Sequence, residues 1–300
     1  MLLRSTFAQR ILFGLVMIVV LIGLIFLDGW FSVSGGAISD NNKSGILVAL
    51  LAAALAGGGC VELGRLFRAR QINPSLIPMQ ISVILVSLGP YWTVYITPSP
   101  LGGLALALVF SMLAAGLYQG IKYQNEGALL NLAVSGFAGL YLGGGCWFLI
   151  SIRLFGCHSE TTWGQVGYLL VFLACVKSAD IGAYFTGRFL GRHKWVPSIS
   201  PGKTWEGFFG GIVGAGIVAS LFSAFSDIIS IGTALWFGPV VAVTGQMGDL
   251  LESMLKRDAG VKDSARLIPE FGGILDLLDS VVVSAPFAWL ILSKLGPPGQ

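Results

Sequence analysis

Long apolar runs recur along the whole chain and leave few folds open to it. They lie at about 11–27, 45–61, 75–97, 101–121, 128–152, 164–187, 205–226, 229–248 and 273–294. An apolar run of about 18 residues with few charges is typical of a transmembrane helix, because the hydrocarbon core of a bilayer is about 30 Å thick. Backbone groups inside lipid must bond within their own segment, which favours helices. We therefore predict an all-α, polytopic integral membrane protein with about nine spans.

The composition agrees with a membrane protein and excludes several other classes. Only 11% of the 300 residues are charged, whereas soluble domains carry roughly a quarter. The net charge of +3 is too small to indicate a nucleic-acid partner. The four cysteines form no C-x-x-C pair, so we expect small core-filling residues rather than a disulfide or zinc framework. They are Cys60, Cys146, Cys157 and Cys175.

The orientation of the chain is predicted from its basic residues, which favour the cytoplasmic side of a membrane. With a cytoplasmic N-terminus, the cytoplasmic segments hold fourteen lysines and arginines and the other side holds three: Lys43, Arg153 and Lys294. Arg4 and Arg10 precede the first apolar run, and no A-x-A cleavage site follows it. The first run is therefore expected to be retained as a span rather than removed as a signal peptide.

The two halves of the chain differ in charge. Of its 33 charged residues, 19 lie between Lys177 and Ser280. We predict that residues 1–160 form a helical, lipid-facing scaffold and that residues 161–300 carry the catalytic site. The glycines of "GGIVGAG", 210–216, are assigned to helix packing, because small residues let membrane helices approach closely.

Two polar clusters come first within the charged region. Lys177 and Asp180 lie three residues apart in the sixth run, and ionisable residues inside a membrane mark a functional site by default; a self-neutralising structural pair is the alternative. The segment "SISPGKTWEG", 198–207, lacks the glycine that a P-loop needs, because Pro197 stands there. It predicts a tight loop in which Lys203 and the start of the seventh helix, capped by Thr204, bind phosphate; an ordinary capped helix is the alternative.

A third cluster lies in "GDLLESMLKRDAGVKDSARLIPEFGGILDLLDS", 248–280. Helical spacing places four side chains on one face, namely Asp249, Glu252, Ser253 and Lys256. Asp276 and Asp279 open the ninth run on one face as well. Carboxylates beside lysines and arginines are what a Mg²⁺-bound polyphosphate needs. A cation or proton pathway uses membrane carboxylates too, but it has no need of the lysines and arginines.

These motifs together resemble the signature of the phosphatidate cytidylyltransferases, the CDP-diacylglycerol synthases. The signature runs S-x-x-K-R-x4-K-D, then a proline, H-G-G and D-R-x-D. The matching residues are Ser253, Lys256, Arg257, Lys262, Asp263, Pro269, Gly272, Gly273, Asp276 and Asp279. "SADIGAYFTGRFLGR" and "ISPGKTWEG" are family landmarks in the same order. The resemblance is strong over about 177–280.

The resemblance implies that CTP and phosphatidic acid give CDP-diacylglycerol and pyrophosphate, with Mg²⁺ and an optional monovalent cation such as K⁺. It implies Asp249 and Asp276 as metal ligands. The implied catalytic residues are Lys256, Arg257, Lys262, Asp263 and Asp279. The implied substrate-binding residues are Asp180, Ser200, Lys203, Thr204 and Ser253. It also implies a multi-pass protein of the inner (plasma) membrane with a cytoplasm-facing site, and it is compatible with a homodimer.

Two positions depart from the family pattern. Phe271 stands where the family usually has histidine, and Leu277 stands where it has arginine. Lys177 or Arg266 is a candidate source of the missing positive charge. Since the carboxylates and lysines are retained, we expect an active enzyme. A cytidylyltransferase for another lipid phosphate, such as a polyprenyl phosphate or an ether lipid, stays an alternative, and a cation-coupled transporter is a more distant one.

Overall fold

The computed structural model describes residues 7–34, 44–157, 159–226, 228–261 and 272–294, with side chains from residue 14 onward. These residues form eleven α-helices, one π-helical segment and a two-stranded hairpin. In chain order they are α1 (Phe7–Ser34), α2 (Ile46–Ala69), α3 (Leu76–Ser87), α4 (Gly89–Thr93), α5 (Pro100–Lys122), α6 (Ala128–Ala138), the π-helical segment (Gly139–Gly144), α7 (Gly145–Leu154), α8 (Thr162–Phe189), β1 (Lys194–Val196), β2 (Ser200–Thr204), α9 (Trp205–Phe225), α10 (Ile231–Asp258) and α11 (Ile274–Ser293).

Seven helices in the described residues are long and apolar enough to cross a membrane. They lie at Gly14–Ser34, Ile46–Ala69, Pro100–Lys122, Ala128–Leu154, Thr162–Phe189, Trp205–Phe225 and Ile274–Ser293. The all-α membrane class is therefore confirmed, because helices account for nearly all the regular structure in the described ranges.

The remaining two predicted spans have a different character. The run at 75–97 is broken at Leu88 into the 12-residue α3 and the five-residue α4, which has Pro90 in its first turn. Proline is favoured there because its missing N–H would have no partner inside the helix anyway. The run at 229–248 belongs to the longer α10, which continues to Asp258 and holds several charges in its last turns. The count of nine spans stays a prediction.

Helices α8 and α9 pack at close range, and glycine makes the approach possible. A Cβ atom added to Gly182 would lie 2.6 Å from the carbonyl oxygen of Gly210, and one added to Gly211 would lie 2.9 Å from that of Ala179. Gly210 and Gly211 open the "GGIVGAG" segment, so its assignment to packing is confirmed. The four cysteines are all free and buried, as expected of small core-filling residues.

A buried ion pair fastens one end of the bundle. Arg153 on α7 is fully buried, and its Nε donates to Asp28 Oδ2 on α1 at 2.8 Å. Its Nη1 donates to the carbonyl oxygen of Gln165 on α8 at 2.8 Å, and Asp28 Oδ1 accepts from the amide of Leu47 on α2 at 2.8 Å. Four helices therefore meet at one charge pair. Because Arg153 is internal, it provides no evidence about which side of the membrane this end faces.

The packing of α8 on α9 leads to a prediction with a matched control. We expect Gly182→Ala to lower thermal stability, because the added methyl group overlaps backbone and overpacking costs about 1–3 kcal/mol. Gly57→Ala on α2 adds the same methyl group with no atom within 4 Å, and alanine is the better helix former by about 1 kcal/mol. Thermal unfolding in one detergent compares the two variants. Equal stability of both would contradict the close α8–α9 contact.

Candidate active site

A cavity of about 690 Å³ lies where the end of α8, the hairpin, the start of α9, the end of α10 and the start of α11 meet. Among the described residues, its charged lining consists of five carboxylates and three cations. They are Asp180, Asp249, Glu252, Asp276 and Asp279, with Arg188, Lys203 and Lys256. The cavity therefore brings together charged residues from all three polar clusters identified in the sequence.

Helix α10 supplies one wall of the cavity from successive turns. Asp249, Glu252 and Lys256 all line it, which confirms that the i, i+3, i+7 spacing places them on one face of a helix. Ser253 does not line the cavity but donates its hydroxyl to Asp249 Oδ1 at 3.3 Å. Ser253 therefore helps to orient the Asp249 carboxylate without facing the cavity.

Helix α11 supplies the facing wall, and a glycine turn precedes it. Gly272 has a φ of +88°, a conformation that only glycine adopts readily, so the close turn that the sequence indicated is present. The amide of Gly273 donates to Asp276 Oδ2 at 2.6 Å. Lys256 then joins the two walls, because its Nζ lies 2.5 Å from Asp276 Oδ1 and 2.9 Å from Glu252 Oε2.

The start of α11 is also held from the N-terminal half of the chain. Glu62 on α2 is fully buried, and its two carboxylate oxygens accept the amides of Ile274 and Leu275, each at 2.9 Å. Sequence reasoning missed Glu62 because its partners lie more than 200 residues away. The available signal was the single acid of α2, which follows a long apolar run and is expensive unless it is paired.

Three carboxylates converge closely enough to hold a divalent cation. Ligand oxygens of Asp249, Glu252 and Asp279 all lie within 4.8 Å of one another. Oxygens bound to one Mg²⁺ at about 2.1 Å span at most about 4.2 Å, so a small adjustment would complete the set. Glu252 Oε1 is buried without a hydrogen-bond partner in the described part of the chain. The residues present therefore fit a hard cation.

The structure treats the two proposed metal ligands differently. Asp249 belongs to the converging set, and Asp276 is bonded instead to Lys256 and to the Gly273 amide. Glu252 takes part in the set although the sequence did not single it out as a metal ligand. Asp276 and Glu252 bind the same Lys256 ammonium group, so Asp276 borders the three converging carboxylates.

The hairpin and the start of α9 close the cavity on another side. Ser200, Lys203 and Thr204 line it. They lie in strand β2, which pairs antiparallel with β1, and not in the tight loop that the sequence predicts. Lys203 Nζ lies 2.9 Å from Asp249 Oδ2. Thr204 is the N-cap of α9, as expected, and its Oγ1 accepts the Gly207 amide at 3.1 Å.

The other predicted site residues lie at the margin of the cavity or outside the described ranges. Asp180 lines the cavity and pairs with Lys177 at 3.2 Å, both half exposed. Arg257 is exposed, does not line the cavity, and donates to the Ile199 carbonyl oxygen at 3.3 Å. The remaining positions lie outside the described residues, namely Lys262, Asp263, Arg266, Pro269 and Phe271.

Tyr141 is a further polar side chain that the sequence did not reveal. It lies in the π-helical segment, a rare geometry that is frequent at functional sites. Its hydroxyl is buried and has no hydrogen-bond partner in the described residues.

Comparison with known proteins identifies the family of the chain. The family model described as the cytidylyltransferase family matches residues 8–295. The chain belongs to the cytidylyltransferase family. It is 34% identical to the phosphatidate cytidylyltransferase of Bacillus subtilis over 240 residues, which cover 78% of this chain and 86% of that protein.

Other relatives carry the same name. The phosphatidate cytidylyltransferase of Haemophilus influenzae is 33% identical over 237 residues, which cover 77% of this chain and 72% of that protein. That of Mycobacterium bovis is 41% identical over 133 residues, and this match spans only 42% of its length and 43% of this chain. The resemblance noted in the motifs is thus confirmed at the level of the family.

The N-cap of α9 gives a test of how the cavity wall is built. We expect Thr204→Ala to lower thermal stability by about 1 kcal/mol, since it removes the acceptor for the Gly207 amide, and Thr204→Ser to retain most of it. Thermal unfolding of the purified variants measures both. An alanine variant as stable as the serine variant would mean that the hydroxyl does not cap the helix.

Proposed function

We propose that this protein transfers the cytidylyl group of CTP to phosphatidic acid and so makes CDP-diacylglycerol and pyrophosphate. The observation that carries the proposal is the cavity in which carboxylates from α10 and α11 meet lysines from β2 and α10. Family membership and the names of the relatives support the same reaction. A lipid substrate also accounts for a polar cavity at one end of a bundle of membrane helices.

The charge of the cavity supports a metal cofactor. Among the described residues, five carboxylates face three cations, and this lining would repel a polyphosphate anion unless further positive charge enters with it. Asp249, Glu252 and Asp279 would hold Mg²⁺, with Asp276 beside them. The bound ion would supply Lewis-acid stabilisation of the phosphate oxygens. A monovalent cation such as K⁺ would be a second ion that accompanies Mg²⁺.

The reaction needs positioning more than acid–base chemistry. An oxygen of the lipid phosphate forms a bond to the α-phosphorus of CTP, and the bond from that phosphorus to the pyrophosphate oxygen breaks. The attacking phosphate is already anionic, so no side chain has to remove a proton. Lys203 and Lys256 neutralise phosphate oxygens as charge shifts to the leaving group, which is the usual contribution of lysine in phosphoryl transfer.

In this proposal the lysines have two sets of partners. Before substrates bind, Lys203 pairs with Asp249 and Lys256 pairs with Glu252 and Asp276. These carboxylates hold the ammonium groups within the cavity and keep them from folding out to solvent. In the proposed complex the phosphate oxygens would compete for these ammonium groups, and Asp249, Glu252 and Asp279 would be left to hold the cation. Occupied and empty states would then differ in which anions the lysines contact.

The position of the cavity in the bundle supports a cytoplasm-facing site in the inner (plasma) membrane. Arg70 at the end of α2 pairs with Asp258 at the end of α10, and Arg188 lines the cavity at the end of α8. Basic residues therefore gather at the cavity end, as the positive-inside rule requires of a cytoplasmic face. CTP would enter from water, and phosphatidic acid would enter from the bilayer past the exposed Tyr184 on α8.

The direct test supplies purified protein in micelles with labelled CTP, Mg²⁺ and phosphatidic acid. We expect a CDP-lipid and pyrophosphate in equal amounts, and none after Mg²⁺ is chelated. Asp249→Asn should lower kcat on the order of 100-fold or more, because a group acting on developing charge contributes about that much. The control is Asp258→Asn, an exposed acid outside the cavity, which should retain activity. Failure with several lipid phosphates would sink the proposal.

Substitution of Leu277 tests which lipid phosphate the protein prefers and whether the departure from the family pattern affects the rate. It is half-buried on α11 next to Asp276, so Leu277→Arg would bring a cation toward a region with excess acid. If the missing arginine limits the reaction, Leu277→Arg should raise kcat with phosphatidic acid. Assays with phosphatidic acid, an ether-linked analogue and a polyprenyl phosphate measure preference. A variant with unchanged rates for all three would show that this position does not set activity or lipid choice.

A further inference from the structure

We infer that Glu62 is a positioning residue of the active site, acting through the backbone of α11 rather than by contact with substrate. Its carboxylate is 0% exposed and accepts the first two amides of α11 at 2.9 Å each. Asp276 and Asp279 follow within the next five residues of the same helix. The catalytic part of the inference rests on the proposed function, and the capping part stands on geometry alone.

The hydrogen bonds account for a buried charge that would otherwise be costly. The first amides of a helix have no partner inside the helix, and the N-terminus carries a partial positive charge that favours a carboxylate. Glu62 therefore satisfies two such amides, and the helix end stabilises its charge in return. Removing the carboxylate would leave the Ile274 and Leu275 amides buried without these acceptors.

A packing contact also holds the start of α11 against α2, independently of these hydrogen bonds. A Cβ atom added to Gly58, one turn before Glu62, would lie 2.5 Å from Ile274 Cδ1. The absence of a side chain at Gly58 thus lets Ile274 rest directly on α2. Gly59 beside it faces Leu278, with an added Cβ at 3.6 Å from Leu278 Cδ1. The first turn of α11 is therefore held to α2 both by hydrogen bonds and by contact.

The capped helix start has a consequence for substrate binding. Helix N-termini often bind phosphate through their free amides, but the amides of Gly273, Ile274 and Leu275 already bond to Asp276 and Glu62. Phosphate groups would therefore be held by side-chain cations, and α11 would present carboxylates alone. Glu62 therefore fixes the position of Asp276 and Asp279 and also occupies amides of α11 that could otherwise bind phosphate.

The test replaces Glu62 with Gln, which keeps the size but turns an NH₂ group toward an amide donor. We expect kcat to fall on the order of 100-fold, the effect of a displacement of about 1 Å at a catalytic centre. The Mg²⁺ concentration for half-maximal activity should rise several-fold, while KM for CTP changes less. Glu62→Asp should restore part of kcat. Amide hydrogen exchange should accelerate at Ile274 and Leu275.

The matched control is Asp28→Asn at the opposite end of the bundle. Asp28 is also a buried carboxylate that accepts a helix-start amide, that of Leu47. We expect Asp28→Asn to lower thermal stability while leaving the Mg²⁺ dependence and the exchange at Ile274 unchanged. If Glu62→Gln has wild-type kcat and Mg²⁺ dependence, or loses activity only with the folded fraction as Asp28→Asn does, the positioning role is overturned.

The two readouts separate this inference from the proposed function. If the wild-type protein makes no CDP-lipid, the proposed function fails, and hydrogen exchange still decides whether Glu62 caps α11. Unchanged exchange at Ile274 and Leu275 in Glu62→Gln would overturn the capping itself, whatever the activity.

Discussion

Charge inside a membrane bundle has to be compensated locally, and that constraint organises this structure. Water does not screen the interior, so an unpaired ion there is costly and ions gather in groups. Lys256 shows the result, because a single ammonium group is shared between Glu252 on its own helix and Asp276 on the next. The contact joins α10 to α11, and all three of these side chains line the cavity.

The two ends of the bundle apply the same constraint in opposite ways. At one end, Arg153 and Asp28 are buried and bonded to each other and to neighbouring backbone groups, so that group is closed and structural. At the other end, acids outnumber cations, and Glu252 Oε1 has no hydrogen-bond partner in the described residues. The excess of negative charge and the unsatisfied Glu252 Oε1 both favour the proposed binding of a cation together with a phosphate group.

Sequence reasoning succeeded where the physics is local. The helical face of Asp249, Glu252 and Lys256 and the cap at Thr204 follow from spacing of three or four residues and from helix-end chemistry. The sequence predicts a loop where the β1–β2 hairpin lies, because its strands have only three and five residues and show no clear alternation. Glu62 could not be placed at all, since 212 residues separate it from Ile274 and only the folded chain brings them together.

The same long-range contacts change the part that the first half of the chain plays. Its composition suggested a scaffold, yet α2 fixes the start of α11 through the two hydrogen bonds that Glu62 accepts. The second half contributes the charged residues of the cavity, and α2 of the first half holds the start of α11. Leu277 is neutral where the resemblance implies an arginine, so it supplies no positive charge to offset the acids. A site with fewer cationic side chains depends more strongly on a metal ion that enters with the substrate. The spacing of the carboxylates that would bind this ion then matters more.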